Sequence, residues 1–584
     1  MAAMNSPRSP QHPLLVVALF ASAALLTSAA SGQTMGGGWE SIWKTPGVTA
    51  GDDLGRSVAM VQDLDGDGQD DYLVGAYQAD VGGRLDCGSA LVLSGATGAV
   101  IRRHDGAASG DSFGEVVESA GDVDLDGYGD YMIGAPNSGA GGFTFGGSAY
   151  LYSGHGGVLL YRFDGLAYAD QLGHALASCE DLNGDGVSDL LIGVKDASPS
   201  SISRAGSVLV YSGSTVTLLY QLDGTAVDDF FGSSVAGIGD VDGDGLGDFI
   251  VGAEGVDLAG YSDVGSAFVY SGDTGSLLYR LDGTDDLDNF GHAVTGLLSL
   301  DGDTIPDFAV GAPYSDAGGF RAGEVTIYHG ATGAMIRSHA GAPGANYLGY
   351  SIASAGDMDG DGYGDLVVGV PLTLLFGYGP GSVRVYSGRE GDLMIQLRGL
   401  DSSTSVAPWF GSDVAGGGDL NGDGVGDLVV GAESENPGGR LLAGRAYAFS
   451  GFQPYLTADV RRIRVGPGGV ATFDIDFPLT DAGRLFRLLA SGSGTGPSIY
   501  NGLEIPLTKG DAVWARMLAA SPPGGFSAVS GTLDASGDAS LTMTVPPHGP
   551  AGLIGKTFYF AAVSYDAPHH GYSASAAVPI TFLP

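Results

Sequence analysis

Basic residues are scarce in this sequence, and their scarcity excludes two classes of partner. The 584 residues contain 25 Lys and Arg against 67 Asp and Glu, so the formal net charge is -42. A nucleic-acid-binding protein needs a basic surface to neutralise phosphates, and docking on anionic lipid needs clustered Lys and Arg. We therefore expect neither nucleic acid nor an anionic membrane surface as a partner.

Cysteine is also scarce. The two cysteines, Cys87 and Cys179, occupy different positions within the repeated units described below. An oxidising compartment would permit them to pair, but their places in separate units argue against it. We expect two unpaired thiols.

Long apolar runs are absent outside the N-terminal region. Residues 14–26 form a largely apolar run of 13 residues, preceded by Arg8 and His12 and followed by small residues at 28–32. This pattern is typical of a signal peptide over residues 1–32, and the run is too short for a transmembrane helix, which needs about 20 residues. We expect a mature chain without a transmembrane segment, located in the extracellular space or the cell envelope.

Catalytic motifs are missing as well. There is no Gly-x-Ser-x-Gly elbow between a strand and a helix, and there is no phosphate-binding Walker loop. The histidines are scattered without metal-ligand spacing, including His104, His174, His292, His329 and His339. The sequence therefore predicts no catalytic residue, and we expect that the protein is not an enzyme.

Glycine and aspartate, in contrast, are abundant and periodic. A nine-residue acidic loop occurs seven times, and 103 glycines accompany it through the chain. The loops start at Asp63, Asp122, Asp181, Asp240, Ser299, Asp357 and Asp419. Successive starts are 59, 59, 59, 59, 58 and 62 residues apart. One supersecondary unit has therefore been copied seven times.

Each acidic loop spaces its oxygen atoms as a hard cation requires. In the loop 357–365, positions 1, 3, 5 and 9 are aspartates, position 6 is Gly, and position 7 offers a backbone carbonyl. Ca²⁺ binds about 6 to 8 oxygens at about 2.3–2.6 Å, and Gly permits the tight curl because it adopts positive φ freely. The predicted metal ligands are Asp63, Asp65, Asp67, Gln69, Asp71, Asp122, Asp124, Asp126, Tyr128, Asp130, Asp181, Asn183, Asp185, Val187, Asp189, Asp240, Asp242, Asp244, Leu246, Asp248, Asp301, Asp303, Asp307, Asp357, Asp359, Asp361, Tyr363, Asp365, Asp419, Asn421, Asp423, Val425 and Asp427.

Two other interpretations of the loops are less favourable. An EF-hand requires Glu at position 12, where this loop has Val368. Acidic turns on a solvated surface are common, but turn chemistry alone does not explain an acid at position 9 in all seven copies. The fifth copy has Ser299 at position 1 and Thr304 at position 6. We therefore predict six well-formed Ca²⁺ sites and a degenerate seventh that is the weakest or empty.

Four short strands can be read in each unit. A Phe-Gly or Leu-Gly pair stands nine residues before every acidic loop, and an apolar strand ending in Gly-Ala or Gly-Val follows it. Two further strands lie between glycine-rich turns, which is typical of a β-propeller blade. The last unit has three strands, and residues 39–43 match the missing fourth. We predict an all-β chain with a seven-bladed propeller over residues 36–452, closed by residues 39–43 against 445–449.

The Phe-Gly pair, the Asp-x-Asp-x-Asp-Gly-x-x-Asp loop and the Gly-Ala-Pro strand ends at 134–136 and 311–313 resemble FG-GAP repeats. Such repeats form the seven-bladed propeller of integrin alpha subunits and of many exported bacterial proteins. The resemblance covers residues 36–452. It implies calcium in the hairpin loops on one face and a partner-binding surface on the other.

The face opposite the acidic loops is the predicted recognition surface. Antiparallel strands place on that face the connections from second to third strand and from blade to blade. Its aromatic residues are Phe143, Phe145, Tyr261, Tyr314, Phe320, Phe376 and Tyr378. Aromatic residues on loops of a rigid scaffold build many recognition surfaces, and packing between neighbouring connections is the alternative for each of them.

The repeat ends near residue 452, and residues 455–584 have another composition. Short strand-like runs alternate there with turns rich in Pro and Gly, such as 466–469 and 522–525. This pattern predicts a small β-sandwich domain, used as a spacer, a surface anchor or a sorting tag.

The combined features favour an exported calcium-binding propeller that acts in extracellular adhesion or recognition. Its ligand would be an extracellular protein or glycan on the face opposite the acidic loops. One alternative is a structural component of the cell envelope, favoured by a flat and polar opposite face. The other is an enzyme, which would bring acids, His or Arg together at the propeller axis opposite the acidic loops.

Overall fold

The computed structural model describes residues 41–451, apart from 140–141, 259, 343–345, 359–361, 373–378 and 400–406, and also the strands found between residues 456 and 583. The predicted signal peptide, residues 39–40, Asp359, Asp361, Phe376 and Tyr378 lie outside the described residues. No helix in the part that the structure describes is long and apolar enough to cross a membrane.

Seven four-stranded antiparallel sheets form the blades of a β-propeller, which confirms the predicted fold class. In six blades the strands are used in chain order from the central channel outward, and we number them first to fourth. The blades consist of Leu54–Val61, Asp71–Ala76, Ser89–Leu93 and Val100–Asp105; Val116–Gly121, Asp130–Ala135, Ser148–Tyr152 and Leu159–Asp164; Leu172–Cys179, Asp189–Val194, Ser207–Tyr211 and Leu218–Asp223; Phe231–Gly239, Asp248–Ala253, Ser266–Tyr270 and Leu277–Asp282; Ala293–Leu297, Asp307–Ala312, Glu324–Tyr328 and Met335–Ala340; Ile352–Gly356, Asp365–Val370, Ser382–Tyr386 and Leu393–Arg398; and Phe410–Gly416, Leu428–Ala432, Arg445–Phe449 and Ser41–Pro46. Two short 3₁₀ turns, Pro199–Ser201 and Pro437–Gly439, lie in the connections between second and third strands.

The hydrophobic core lies between neighbouring blades. Every residue of the second strands is buried, because these strands are covered by a blade on each side, and their continuous apolar sequence reflects this position. The fourth strands are more exposed, and in Leu218–Asp223 no residue is buried. Among the described residues, seven apolar clusters fill the seven junctions between blades.

The Phe-Gly and Gly-Ala pairs join consecutive blades. The apolar residue of each Phe-Gly or Leu-Gly pair is buried and forms a parallel bridge with a Gly of the preceding blade, as Phe113 does with Gly88. The Gly of each Gly-Ala or Gly-Val pair packs on the Phe-Gly glycine of the next blade so closely that a Cβ would lie 2.0–2.3 Å from its carbonyl oxygen. The contacting pairs are Gly75 and Gly114, Gly134 and Gly173, Gly193 and Gly232, Gly252 and Gly291, Gly311 and Gly349, Gly369 and Gly411, and Gly431 and Gly55.

The two ends of the repeat array meet in the seventh blade. Ser41–Pro46 pairs antiparallel with Arg445–Phe449 and supplies the fourth strand. The indole N–H of Trp43 donates a hydrogen bond of 2.6 Å to the carbonyl of Gly95 in the first blade. A chain segment far from the last repeat thereby completes the ring, which leaves only short outer edges.

The strands beyond residue 456 form sheets of their own. They are Leu456–Ala458, Arg462–Arg464, Gly469–Asp476, Leu485–Ser491, Ser498–Tyr500, Leu503–Ile505, Ser530–Thr532, Asp538–Val545, Thr557–Asp566, His570–Ala574 and Val578–Leu583. Their pairing is mostly antiparallel, and Arg462–Arg464 joins Val578–Leu583 in parallel. A β-sandwich over residues 455–584 remains a prediction.

Both cysteines are unpaired, as the sequence predicts. Cys87 and Cys179 are free and buried, in the first and third repeats. Each therefore acts as a small apolar side chain in the interior of the propeller.

Candidate functional site

The acidic loops lie between the first and second strands, and their carboxylates fold back on the loop backbone. In the first loop, Asp63 accepts hydrogen bonds from the N–H groups of Gly66 and Gly68 at 2.7 Å. The carboxylates of Asp65 and Asp67 accept from N–H groups two residues further on, at 3.2 and 3.0 Å. These bonds hold the loop in a tight curl and direct its oxygens inward.

The aspartate at position 9 binds the backbone in every blade. One oxygen accepts the N–H of loop position 2, at 2.7–2.9 Å in all seven copies. The other accepts the N–H of a glycine just after the third strand, at 2.8–3.0 Å in six copies and also from Gly451 in the seventh. Position 9 is thus an acid for a structural reason that does not require metal, which corrects the argument that turn chemistry cannot explain it.

Burial perturbs these carboxylates. It raises the pKa of Asp71 and Asp427 to about 7, and the pKa of Asp130, Asp189 and Asp248 to about 6, against the hydrogen bonds from the backbone, which lower it. A cation beside such a carboxylate would lower its pKa, because opposite charge favours the ionised form.

The structure brings together several of the predicted ligand sets. Carboxylate oxygens from positions 1, 3 and 9 lie within 4.8 Å of one another in the first, second and fourth loops. The groups are Asp63, Asp65 and Asp71; Asp122, Asp124 and Asp130; and Asp240, Asp242 and Asp248. Oxygen-rich groups of this kind can hold a hard divalent cation.

The third and seventh loops have an amide at position 3 instead of a carboxylate. The Nδ2 of Asn183 donates to Asp189 at 3.1 Å, and its Oδ1 accepts the N–H of Asp185 at 3.1 Å. Asn421 bonds its position-9 aspartate in the same way, at 3.3 Å. These two loops keep the backbone pattern with one negative charge fewer, while the sixth loop is described only in part.

The fifth loop contains a residue that the sequence pattern did not reveal. His329 follows the third strand of its blade and lies beside the loop, with Nε2 at 2.5 Å from Oδ2 of Asp301. Asp301, Asp303 and His329 have ligand atoms within 4.8 Å of one another. The signal in the sequence was the place of His329 in the repeat, where the other six copies have Ser.

A second cluster lines the central channel, at the end opposite the acidic loops. The channel has a volume of about 510 Å³. The residue after each Phe-Gly or Leu-Gly pair lines it, and these residues are Arg56, Glu115, His174, Ser233, His292, Tyr350 and Ser412. This position varies from repeat to repeat, which is the signal that sequence reasoning overlooked.

Glu254 is the centre of this axial cluster. Its carboxylate accepts hydrogen bonds of 2.6 Å from Nζ of Lys195 and from Nδ1 of His292. Burial opposes its ionisation, but the charges and hydrogen bonds of His292 and Lys195 hold the pKa of Glu254 well below its usual range. Nδ1 of His174 is buried nearby without a hydrogen-bond partner, and burial lowers the pKa of that imidazole to about 3.

The predicted recognition face presents exposed aromatic side chains. Phe143, Phe145, Tyr261 and Phe320 are exposed, with fractions of 41–69%. Tyr314 is half-buried and packs edge-on against Tyr347, with ring centroids 5.0 Å apart. Additional exposed apolar residues in the connections of this face are Leu85, Leu166, Tyr168, Val227, Leu287 and Leu441.

Comparisons with known proteins agree with this architecture. A family model described as FG-GAP repeat matches residues 172–211, 348–386 and 410–449. Each match begins at a Phe-Gly or Leu-Gly pair and ends in the third strand of its blade.

The curated relatives include integrin alpha subunits. Integrin alpha-PS2 of Drosophila melanogaster is 32% identical over 218 residues, which are 34% of this chain and 15% of the relative. Integrin alpha-V of Gallus gallus is 34% identical over 213 residues, 34% of this chain and 20% of the relative. Integrin alpha-8 of Gallus gallus is 32% identical over 234 residues, 37% of this chain and 21% of the relative. The matched region spans about a sixth to a fifth of these relatives. With its Phe-Gly and Gly-Ala junctions and seven blades, the chain contains FG-GAP repeats and is similar to integrin alpha subunits over part of its length.

Proposed function

We propose that this chain is an exported recognition or adhesion module whose blades are stabilised by Ca²⁺ in the acidic loops. The observation that carries the proposal is the convergence of three carboxylates in each of three described loops. Bringing these charges together costs free energy through repulsion, and a bound divalent cation offsets that cost. The predicted leader at residues 1–32 supports a location where calcium is plentiful.

The opposite face supports a role in recognition. Its exposed Phe143, Phe145 and Phe320 stand on connections held by rigid blades, and aromatic residues are enriched where proteins bind partners. A flat polar face would instead have favoured a structural envelope component. The ligand class we propose is an extracellular protein or glycan, and residues 455–584 would serve as a spacer, anchor or sorting tag.

The proposal is tested by binding of the full chain to panels of immobilised extracellular proteins and glycans, with Ca²⁺ or with a chelator. We expect a calcium-dependent ligand whose binding is weakened by Phe143→Ala and Phe320→Ala. Tyr220→Phe, on an outer strand, is the control and should bind normally. Absence of any ligand on either panel in the presence of Ca²⁺ would contradict the proposal.

The axial cluster favours a second candidate function, which is acid–base catalysis at the channel. A carboxylate that orients an imidazole through Nδ1 leaves Nε2 free to accept a proton, and Glu254 and His292 have this arrangement. A panel of ester, glycoside and polyuronate substrates would test it. Turnover that is lost in His292→Ala and retained in the surface control His155→Ala supports catalysis, whereas turnover unaffected by His292→Ala excludes it.

A further inference from the structure

The fifth repeat departs from the other six at two positions of its acidic loop and at one position beside that loop. Ser299 replaces Asp at loop position 1, and Thr304 replaces Gly at position 6. Thr304 adopts a φ of +74°, which is unfavourable for a β-branched residue. The third change is His329, which stands where the other copies have Ser94, Ser153, Ser212, Ser271, Ser387 and Ser450. The loop has therefore lost one carboxylate that suits calcium and the glycine of the tight curl, and it has gained a neighbouring imidazole.

The imidazole occupies the place of a hydroxyl that serves the loop elsewhere. In the second and third repeats, the hydroxyls of Ser153 and Ser212 donate to the position-5 aspartate at 3.2 Å. In the fifth repeat the ring of His329 reaches the carboxylates on both of its sides. Nε2 lies 2.5 Å from Oδ2 of Asp301, while Nδ1 lies 3.8 Å from Oδ2 of Asp303 and 3.9 Å from Oδ1 of Asp307.

The two ring nitrogens have different surroundings. A hydrogen bond from Nε2–H to Asp301 leaves Nδ1 as a bare acceptor, and Nδ1 is buried without a hydrogen-bond partner. Histidines that bind metals commonly donate their other N–H to a carboxylate, which fixes the tautomer and orients the ring. Asp301 holds His329 in this way, so that Nδ1 faces the two remaining carboxylates.

The distances from Nδ1 to its two carboxylate neighbours are close to the ligand separations of a transition-metal site. Nitrogen and oxygen ligands of tetrahedral Zn²⁺ lie about 2.0–2.2 Å from the ion and therefore about 3.4 Å apart. The separations of 3.8 and 3.9 Å need to shrink by only about half an ångström for this geometry. A hard cation such as Ca²⁺ prefers oxygen donors alone, whereas imidazole with carboxylate suits Zn²⁺ and its neighbours.

We propose that the fifth loop is a transition-metal site, of the type that binds Zn²⁺, in a propeller whose other loops bind Ca²⁺. Nδ1 of His329 and the carboxylates of Asp303 and Asp307 are the ligands, and Asp301 is the positioning residue. The inference rests on the proposed binding of divalent cations in the loops, and it replaces the expectation of a weak or empty fifth calcium site.

The test uses the full chain, equilibrated with trace Zn²⁺ in excess Ca²⁺, with both metals then measured by elemental analysis. We expect about one tightly bound Zn²⁺ per chain. The affinity should be at least about 100-fold lower in His329→Ser, because the loss of an outer-shell partner alone costs about 10- to 100-fold. Because Ser occupies this place in the other repeats, His329→Ser should fold, and its melting curve checks this. Asp301→Asn is expected to lower the affinity for Zn²⁺ about tenfold. Co²⁺ in place of Zn²⁺ should give visible absorption bands that His329→Ser lacks.

The surface variant His155→Ser is the matched histidine control and should retain the Zn²⁺. Equal Zn²⁺ affinity in wild type and His329→Ser would overturn the proposal, and so would calcium bound in the other loops with no Zn²⁺ in the fifth. A chain that retains neither metal would contradict the proposed function itself, which separates the two failures.

Discussion

At the scale of single residues, the position-9 aspartate serves two purposes in one place. Both of its oxygens accept backbone N–H groups, and in three described loops it also belongs to the group that can hold a metal. The sequence indicated only the metal-binding purpose, because the ligand spacing is visible within one loop. The glycine that binds the aspartate lies about 24 residues away, as Gly272 does from Asp248.

The two purposes are separable by substitution in the fourth loop. Asp248→Asn turns an amide N–H toward a buried backbone donor, so we expect a loss of about 1–3 kcal/mol in the free energy of unfolding in chelator, and a larger loss in calcium because a candidate metal ligand is removed as well. Asp244→Asn is the matched control, because an amide oxygen can still accept the N–H of Leu246. Asp244→Asn should lower the free energy of unfolding only when calcium is present. Denaturant titration in both conditions checks the prediction, and a loss in Asp248→Asn that disappears in chelator would contradict it.

A carboxyl on the channel wall gives the protein a pH dependence. Burial raises the pKa of Glu118 from 4.5 to about 8, with added repulsion from Asp413. Between these values the unfolded chain ionises while the folded chain keeps the proton, so this group's contribution to stability is lost as pH rises from about 4.5 to about 8.

Glu118→Gln removes that loss. Its melting temperature relative to wild type should therefore increase between pH 5 and pH 8.5 when calcium is kept saturating. Glu180→Gln, at an exposed position, serves as the control for the substitution itself. If the melting temperature of Glu118→Gln relative to wild type stays constant or falls as pH rises, the raised pKa of Glu118 is contradicted.

At the scale of elements, the Phe-Gly and Gly-Ala pairs are the joints between blades. Gly114 has a φ of +86°, and a Cβ there would lie 2.3 Å from the carbonyl oxygen of Ser89. Gly110 has a similar φ of +79° but nothing within 4 Å of the added atom. Comparison of Gly114 with Gly110 therefore separates the effect of the backbone conformation from the effect of close packing.

We predict that Gly114→Ala lowers the free energy of unfolding by on the order of 3 kcal/mol or more, since strain and a backbone clash add together. Gly110→Ala should cost about 1 kcal/mol, from the positive φ alone. Gly134→Ala lacks the positive φ but has a Cβ position 2.3 Å from the oxygen of Gly173, and it should fall between them. Equal losses in Gly114→Ala and Gly110→Ala would show that blade packing does not constrain this glycine.

At the scale of the whole molecule, the ring was predictable and its centre was not. Six repeats of four strands and a seventh of three predict a closed array, and Ser41–Pro46 supplies the strand that the seventh repeat lacks. The axial cluster is assembled from Lys195, Glu254 and His292, which belong to three different blades. Lys195 and Glu254 hold the same place in consecutive blades, 59 residues apart. The arrangement of neighbouring blades around the axis brings them together, and a pattern read within one repeat does not show it.

The same limit applies to the fifth loop. His329 joins Asp301 and Asp303 through the antiparallel pairing of second and third strands, not through a short motif. A pattern of ligands within nine residues detects the acidic loop but not His329, which follows another strand. His329 is found by comparing the same position across the seven repeats.

In our proposal bound calcium stabilises the native propeller, and thermal unfolding with and without a chelator measures that stabilisation. Ligand present at 100 times its dissociation constant stabilises the native state by about 2.7 kcal/mol per site, so we predict that chelation lowers the melting temperature by on the order of 10 °C. Restoring calcium should restore the melting temperature, and magnesium should do so less well. A chain that melts at the same temperature in calcium and in chelator would show that calcium does not stabilise the propeller.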